Sequence, residues 1–175
     1  ECALGPLREL LESAESTDKL IFYFEYLFLI FKFDRCNFMI DLLLSQLEKH
    51  PDNWLKYKIS KIKLEILLYK QSEEEVKEHL YQMIASFGIS QFDRNKVEPF
   101  YYVYTQLGST YLKLHQPTKA LKCFKFILSN TRDSLDQLRT GRLFLSISMA
   151  YFQLNNSAKS TKYALKSENV LRRHL

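Results

Sequence analysis

Glycine and proline are scarce in this chain, four of each among 175 residues. A sheet-rich fold of that length needs many tight turns, and turns draw heavily on those two residues. Their scarcity argues against an all-β architecture and for long helices joined by short links. Cysteine is scarcer still. Cys2, Cys36 and Cys123 are an odd number with no C-x-x-C pair, so they read as reduced thiols of a cytosolic or nuclear protein rather than a disulfide framework. Long apolar runs are missing too. The most hydrophobic stretch, LIFYFEYLFLIF from Leu20 to Phe31, is interrupted by Glu25 and closed by Lys32, Asp34 and Arg35. Spanning a bilayer takes about 20 apolar residues, so this segment is expected to be a helix buried on two faces, with no membrane partner. No secretory signal is visible, and a chain opening on Glu1 is expected to be a piece of a longer protein.

The groups that carry chemistry are equally thin. His50, His79, His115 and His174 are scattered, and none pairs with another His, Cys or carboxylate at metal-ligand spacing. Neither a G-x-x-x-x-G-K loop, nor G-x-G-x-x-G, nor G-x-S-x-G occurs. The carboxylates of SEEEVKEH (72–79) gather at an expected helix N-terminus, where they complement the helix dipole. Cys123 falls on an expected buried face and reads as core, not nucleophile. No catalytic residue, metal or cofactor is expected, and the chain is not expected to be an enzyme.

What is present is a large apolar fraction, 46% of residues, enough for a substantial core at this length. Charge is unevenly placed. Residues 1–100 carry 13 Lys+Arg against 17 Asp+Glu, whereas 101–175 carry 12 against 3. Such a basic half is either a solvated face or a surface that meets something acidic. Nucleic acid is not the favoured partner, because no recognition motif appears and Lys119, Lys122 and Lys125 recur every three residues as on a solvated helix face.

Helix signals follow one another closely. Pro6 opens a short helix, STDK (16–19) starts the aromatic one, and Asp34 caps the next. Further helices are expected over about 54–69, 73–87, 98–115, 117–130, 133–154 and 157–173. Ser72 with Glu75 and Ser134 with Gln137 are read as capping boxes. Gly88 is read as a left-handed C-cap, Pro117 as a first-turn residue, and Asn155-Asn156 as the last turn. Gly141 falls inside a helix with no motif to explain it. With no strand expected, this gives about nine helices, pairing after the first into four hairpins.

The hairpins repeat. The second helix of each carries residues at i, i+4 and i+7: Ile40-Leu44-Leu47, Val76-Leu80-Met83, Ala120-Phe124-Ile127 and Ser160-Ala164-Ser167. Successive sets are offset by 36, 44 and 40 residues. TYLKLHQPTKALK (110–122) aligns over AYFQLNNSAKSTK (150–162) without a gap. The stretch YTQLGSTYLKLHQPTKALKCFKFI (104–127) resembles a tetratricopeptide repeat. It carries that family's aromatic, Leu-Gly and Tyr on the first helix as Tyr104, Leu107, Gly108 and Tyr111, and its small and apolar positions on the second as Ala120, Phe124 and Ile127. A side chain at 108 would hold the two helices apart. The other units depart from the pattern, with Ser148 standing where the family has Gly.

The resemblance implies an all-α, right-handed superhelix of about four hairpins over residues 1–175 as one domain. It also implies a concave groove lined by the first helix of each hairpin. The family's groove positions fall on Tyr102, Thr105, Ser109 and Lys113 of the third unit. In the fourth they are Arg142, Leu145, Met149 and Gln153, and in the second Lys58, Lys61, Glu65 and Tyr69. The implied role is a scaffold or adaptor subunit gripping an extended, acidic segment of another protein. The alternative is the peptide-pheromone-sensing domain of a bacterial regulator whose helix-turn-helix is not in this chain.

Overall fold

A computed structural model of the chain describes residues 53–131 and 134–172. Every regular element among them is helical. The chain divides into two compact units, Glu1–Ser72 and Glu73–Leu175, which are taken separately. The helices expected before residue 50, Cys2, Cys36 and the Leu20–Phe31 segment lie outside the described residues. So do the parts needed to count nine helices or four hairpins.

In the first unit, helix α1 (Asn53–Lys70) buries Leu55, Tyr57, Ile59, Leu64, Ile66 and Leu67, which spread over more than half of its circumference. Such a pattern marks a helix covered on more than one side. Trp54 stacks on Tyr57 with ring centroids 5.3 Å apart.

The second unit holds α2 (Glu73–Ser86), a 3-10 turn (Arg94–Lys96), α3 (Val97–Lys113), α4 (Pro117–Thr131), α5 (Gln137–Gln153) and α6 (Ser157–Arg172). Consecutive helices pack on one another, and α3 also touches α5. The result is α2 followed by two hairpins, α3–α4 and α5–α6, with the first helices side by side. The core between them is large and mainly apolar: Leu80, Met83, Ile89, Phe100, Phe124, Ile127 and Ile147 are almost wholly buried. Phe92, Phe100, Tyr104 and Phe126 form an aromatic cluster with centroids 4.9–5.3 Å apart.

The repeat is written in the turns as well as the core. Gln71, His115 and Asn155 are the non-glycine residues with positive φ among those described, at 56°, 54° and 55°. Each stands just past a helix end, and their spacing of 44 and then 40 residues matches the offsets of the apolar sets. At His115 the amide of Gln116 donates to the Tyr111 carbonyl (2.8 Å) and that of His115 to the Leu112 carbonyl (3.1 Å). Forty residues on, Asn156 donates to Tyr151 (2.9 Å) and Asn155 to Phe152 (2.9 Å). This is the Schellman arrangement, which satisfies carbonyls left orphaned at a helix end. Gly88, φ +60°, plays the same part after α2, where Ile89 donates to the Ile84 carbonyl. Lys96 adds a second cap there, its ammonium 3.0 Å from the Phe87 carbonyl.

One expected cap is corrected. Helix α5 does not begin at Ser134 with Gln137 as its box partner. Its N-cap is Asp136, whose carboxylate accepts the Arg139 amide at 2.7 Å. A carboxylate is as good an acceptor as a Ser hydroxyl and also carries the charge that the helix N-terminus favours. Elsewhere the starts fall as the sequence suggests: α4 begins at Pro117, and Asn156 caps α6 by accepting the Lys159 amide at 3.1 Å.

Both helical glycines mark close approaches. A Cβ on Gly108 would stand 2.7 Å from Phe124 Cζ, inside contact distance of a fully buried ring. Ala120 is also fully buried. Forty residues on, the pair Gly108 and Ala120 becomes Ser148 and Ser160. There the Ser148 hydroxyl donates to the Ser160 carbonyl at 2.8 Å, so a hydrogen bond replaces bare contact. Gly141 now has a reason as well. Its Cβ would meet Leu171 Cγ at 2.7 Å, and the Ser167 hydroxyl donates to its carbonyl at 2.7 Å.

Candidate functional site

The first helices α3 and α5 are tied at both ends. At one end the Tyr101 hydroxyl donates to the Arg139 carbonyl (3.4 Å), with the Arg139 guanidinium 5.5 Å above the Tyr101 ring. Burial pushes the Tyr101 hydroxyl above its ordinary pKa, so it remains a donor at neutral pH. At the other end the Gln153 side-chain amide donates to the Leu112 carbonyl at 3.2 Å. Gln153, expected on the binding face, is therefore a strut between the two helices.

Between those ties the remaining positions differ in character. Tyr102, Thr105 and Ser109 on α3 are half-buried, while Lys113 is exposed. The Lys113 ammonium lies 3.7 Å from a carboxylate oxygen of Glu73, at the start of α2, so its charge is already answered within the fold. On α5, Arg142, Leu145 and Met149 all face solvent. Two residues that sequence reasoning passed over join them. Leu138, Leu145, Met149 and Phe152 are exposed by 39, 49, 53 and 72% respectively. With Arg142 they step along α5 by four, three, four and three residues, which keeps them on one stripe opposite the buried Leu143, Ile147 and Ala150. The resemblance already placed Arg142, Leu145 and Met149 on this side; it did not extend the stripe to Leu138 and Phe152.

In the first unit, Lys58 and Lys61 are half-buried on α1, and the Lys58 ammonium sits 5.1 Å over the Trp54 ring. Glu65 is half-buried and Tyr69 exposed.

The packing residues of the resemblance lie within the second unit. Leu107, Gly108, Tyr111, Ala120 and Phe124 are buried, and Tyr104 is half-buried within the aromatic cluster. The Tyr111 hydroxyl shares a hydrogen bond with that of Tyr81 on α2. Burial, reinforced by that bond, pushes the Tyr111 hydroxyl far above its usual value. Burial likewise pushes the Cys123 thiol up to about 11, which leaves almost none of the nucleophilic thiolate at neutral pH. No group of three His, Cys, Asp or Glu side chains gathers among the described residues to hold a metal. No helix among them is long and apolar enough to cross a membrane.

No protein-family model and no curated protein matches the chain. Solved structures do. The structure named "MamA AMB-1 P212121" matches with a TM-score of 0.60 at 16% identity, over 94% of this chain and 87% of that one. "MamA MSR-1 C2" matches at 0.58 and 15% identity, over 82% and 70%. The fold is MamA-like. MamA is a tetratricopeptide-like helical-repeat protein, and at this identity the likeness is one of fold. A MamA-like fold agrees with the hairpins, turns and close contacts already described.

Proposed function

We propose that the chain is a protein-interaction module, a scaffold or adaptor, that holds a segment of another protein against the first-helix face of its hairpins. In this reading the hairpins continue as one right-handed superhelix through 1–175. The face bearing Tyr102, Thr105, Ser109, Arg142, Leu145 and Met149 is concave, and the setting is cytosolic or nuclear. The observation that carries the proposal is the α5 stripe. Four large apolar side chains in a row, each at least a third exposed, are disfavoured on a solvated helix and are the usual signature of a covered surface. Binding fits better than catalysis, because the stripe offers apolar anchors and one cation but no acid, base or nucleophile.

Partner chemistry follows from the side chains. Leu145, Met149 and Phe152 call for apolar anchors, and Arg142, whose charge no described carboxylate meets, calls for an acidic residue among them. An extended acidic segment with hydrophobic anchors meets both needs.

The test is selection of peptides from a random library on the immobilised chain, followed by anisotropy titration of the best binder. Selected peptides should combine acidic and apolar residues. Leu145→Ala and Met149→Ala should each weaken binding about tenfold, the size of a modest interface anchor. Arg142→Glu should slow association and flatten its salt dependence. Lys119→Glu with Lys122→Glu, on the second helix α4, should leave peptide binding unchanged. If the α4 pair mattered and the α5 residues did not, the groove reading would be wrong.

A further inference from the structure

The second-helix face has a different chemistry from the stripe, and it stands independently of the groove. Six lysines lie exposed on α4 and α6: Lys119, Lys122 and Lys125, then Lys159, Lys162 and Lys166. The first two of each row are related by the 40-residue repeat. The rows meet at Tyr151, since the ammonium groups of Lys125 from α4 and Lys159 from α6 lie 5.6 and 5.4 Å from the centre of that one ring. Tyr151 stacks on Tyr163 at 5.6 Å, and Lys166 lies 5.2 Å from the Tyr163 ring. Aromatic rings therefore hold Lys125, Lys159 and Lys166 together, while Lys119 lies 5.5 Å over the Tyr111 ring one repeat earlier.

Nothing among the described residues neutralises that patch. The described acids of this stretch are engaged elsewhere: Asp136 caps α5 and pairs with Arg139, and Glu168 pairs with Arg172 at 2.6 Å. Unanswered like charges this close together repel one another, and an external anion relieves that repulsion.

The exposed residues beside the lysines indicate which anion. On α4 they are Thr118 and Ser129, on α6 Ala158, Thr161, Leu165 and Asn169. Leu165 on α6 is the one exposed large apolar side chain on these two helices. A protein partner wants a desolvated apolar centre ringed by polar groups, and α4 offers none. Lysines with Ser and Thr hydroxyls are the side chains that contact sugar-phosphate backbones. Tyr111 and Tyr151 are buried and half-buried Tyr163 is taken up by Tyr151 and Lys166, so no open row of rings is offered for successive bases to stack on, which disfavours single strands.

We propose that the α4–α6 lysine face binds the phosphate backbone of duplex nucleic acid without reading its sequence. The interaction is electrostatic, and its signature is release of counterions from the duplex. Six lysine–phosphate contacts give a log K against log salt slope of about −5, or about a thousandfold loss of affinity between 50 and 200 mM salt.

The experiment titrates the 175-residue chain into fluorescein-labelled duplexes of about 20 base pairs, DNA and RNA, across that salt range. Lys122→Glu with Lys162→Glu is the informative variant, because neither side chain pairs with a described carboxylate or covers a described ring, so the helical spectrum and melt should stay the same. Steep salt dependence in the parent, unscrambled by sequence changes in the duplex, with a slope shallower by about 2 in the variant, is the expected result. The stronger of the DNA and RNA arms identifies the source of the backbone. No binding at 50 mM salt, or the same slope in the variant, would overturn the proposal. So would polyglutamate of equal charge binding as tightly as the duplexes and losing affinity in the same variant, which would make the face a site for acidic protein.

Discussion

At the scale of single residues, contact outweighs propensity at Gly108. A glycine inside a helix is about 1 kcal/mol less favourable than alanine, so propensity predicts that Gly108→Leu stabilises the domain. Contact predicts the reverse, because the new side chain must enter space held by the buried Phe124 ring. Overpacking of this kind costs about 1–3 kcal/mol, and a shifted urea midpoint of either sign decides between them. Gly141→Ala is the useful contrast. Its obstacle is the half-buried Leu171 side chain near the end of α6, branch point included, which is freer to shift than the enclosed Phe124 ring, so the change should cost clearly less than Gly108→Leu in the same melt. Two other residues set a pH limit. Cys123 and Tyr111 hold their protons more tightly in the folded chain than in the unfolded one, both through burial. Their contribution is therefore complete below the unfolded thiol value of about 9 and falls away as pH rises through the folded values. Urea midpoints measured at pH 7, 9 and 10.5 should hold between the first two and drop at the third; a flat series would contradict the buried-thiol and buried-phenol reading.

At the scale of helices, capping was only partly readable. Ser134-x-x-Gln137 fits the box pattern, yet Asp136 holds the cap. Sequence patterns rank acceptors, but which one meets the first free amides depends on where the chain turns. Asp136→Ala should cost about 1 kcal/mol, while Ser134→Ala should cost a few tenths at most, as read by thermal melts of the two variants. The turn residues show the same limit from the other side. His115 gave no sign of a left-handed conformation on its own; only its register with Gln71 and Asn155 points to one. Asn155 was the easier reading, because its short amide tolerates that region better than most side chains.

Across the second unit, stability should be graded. The α3–α4 hairpin has Phe100, Leu107, Phe124 and Ile127 in its interior, whereas on α6 only Ser167 is fully buried. The repeat positions that carry Phe124 and Ile127 on α4 carry Ala164 and Ser167 on α6. Opening α6 alone exposes little apolar surface, so it should occur far more often than opening α3–α4. Native-state hydrogen exchange should show α6 amides exchanging through local opening and α4 amides through global unfolding. Equal protection of both would mean that α6 is held by contacts beyond those described. The same scale separates the two candidate surfaces, one apolar on a first helix and one cationic on the second helices.

From the sequence alone came the helical class, the hairpin order, the period near 40 and the tight crossing at Gly108. These rest on spacing and residue size, which act over one or two turns of helix and survive without knowledge of distant contacts. Only the tertiary structure decided what the exposed positions do. Lys113 reads as a free groove cation until Glu73 is found beside it, and Gln153 as a groove residue until it reaches the Leu112 carbonyl. Leu138 and Phe152 carry no assignment until α5 is seen to turn them outward. A linear pattern marks an apolar stripe but not which neighbour, if any, covers it, because that depends on helices brought together from residues 30 to 40 apart.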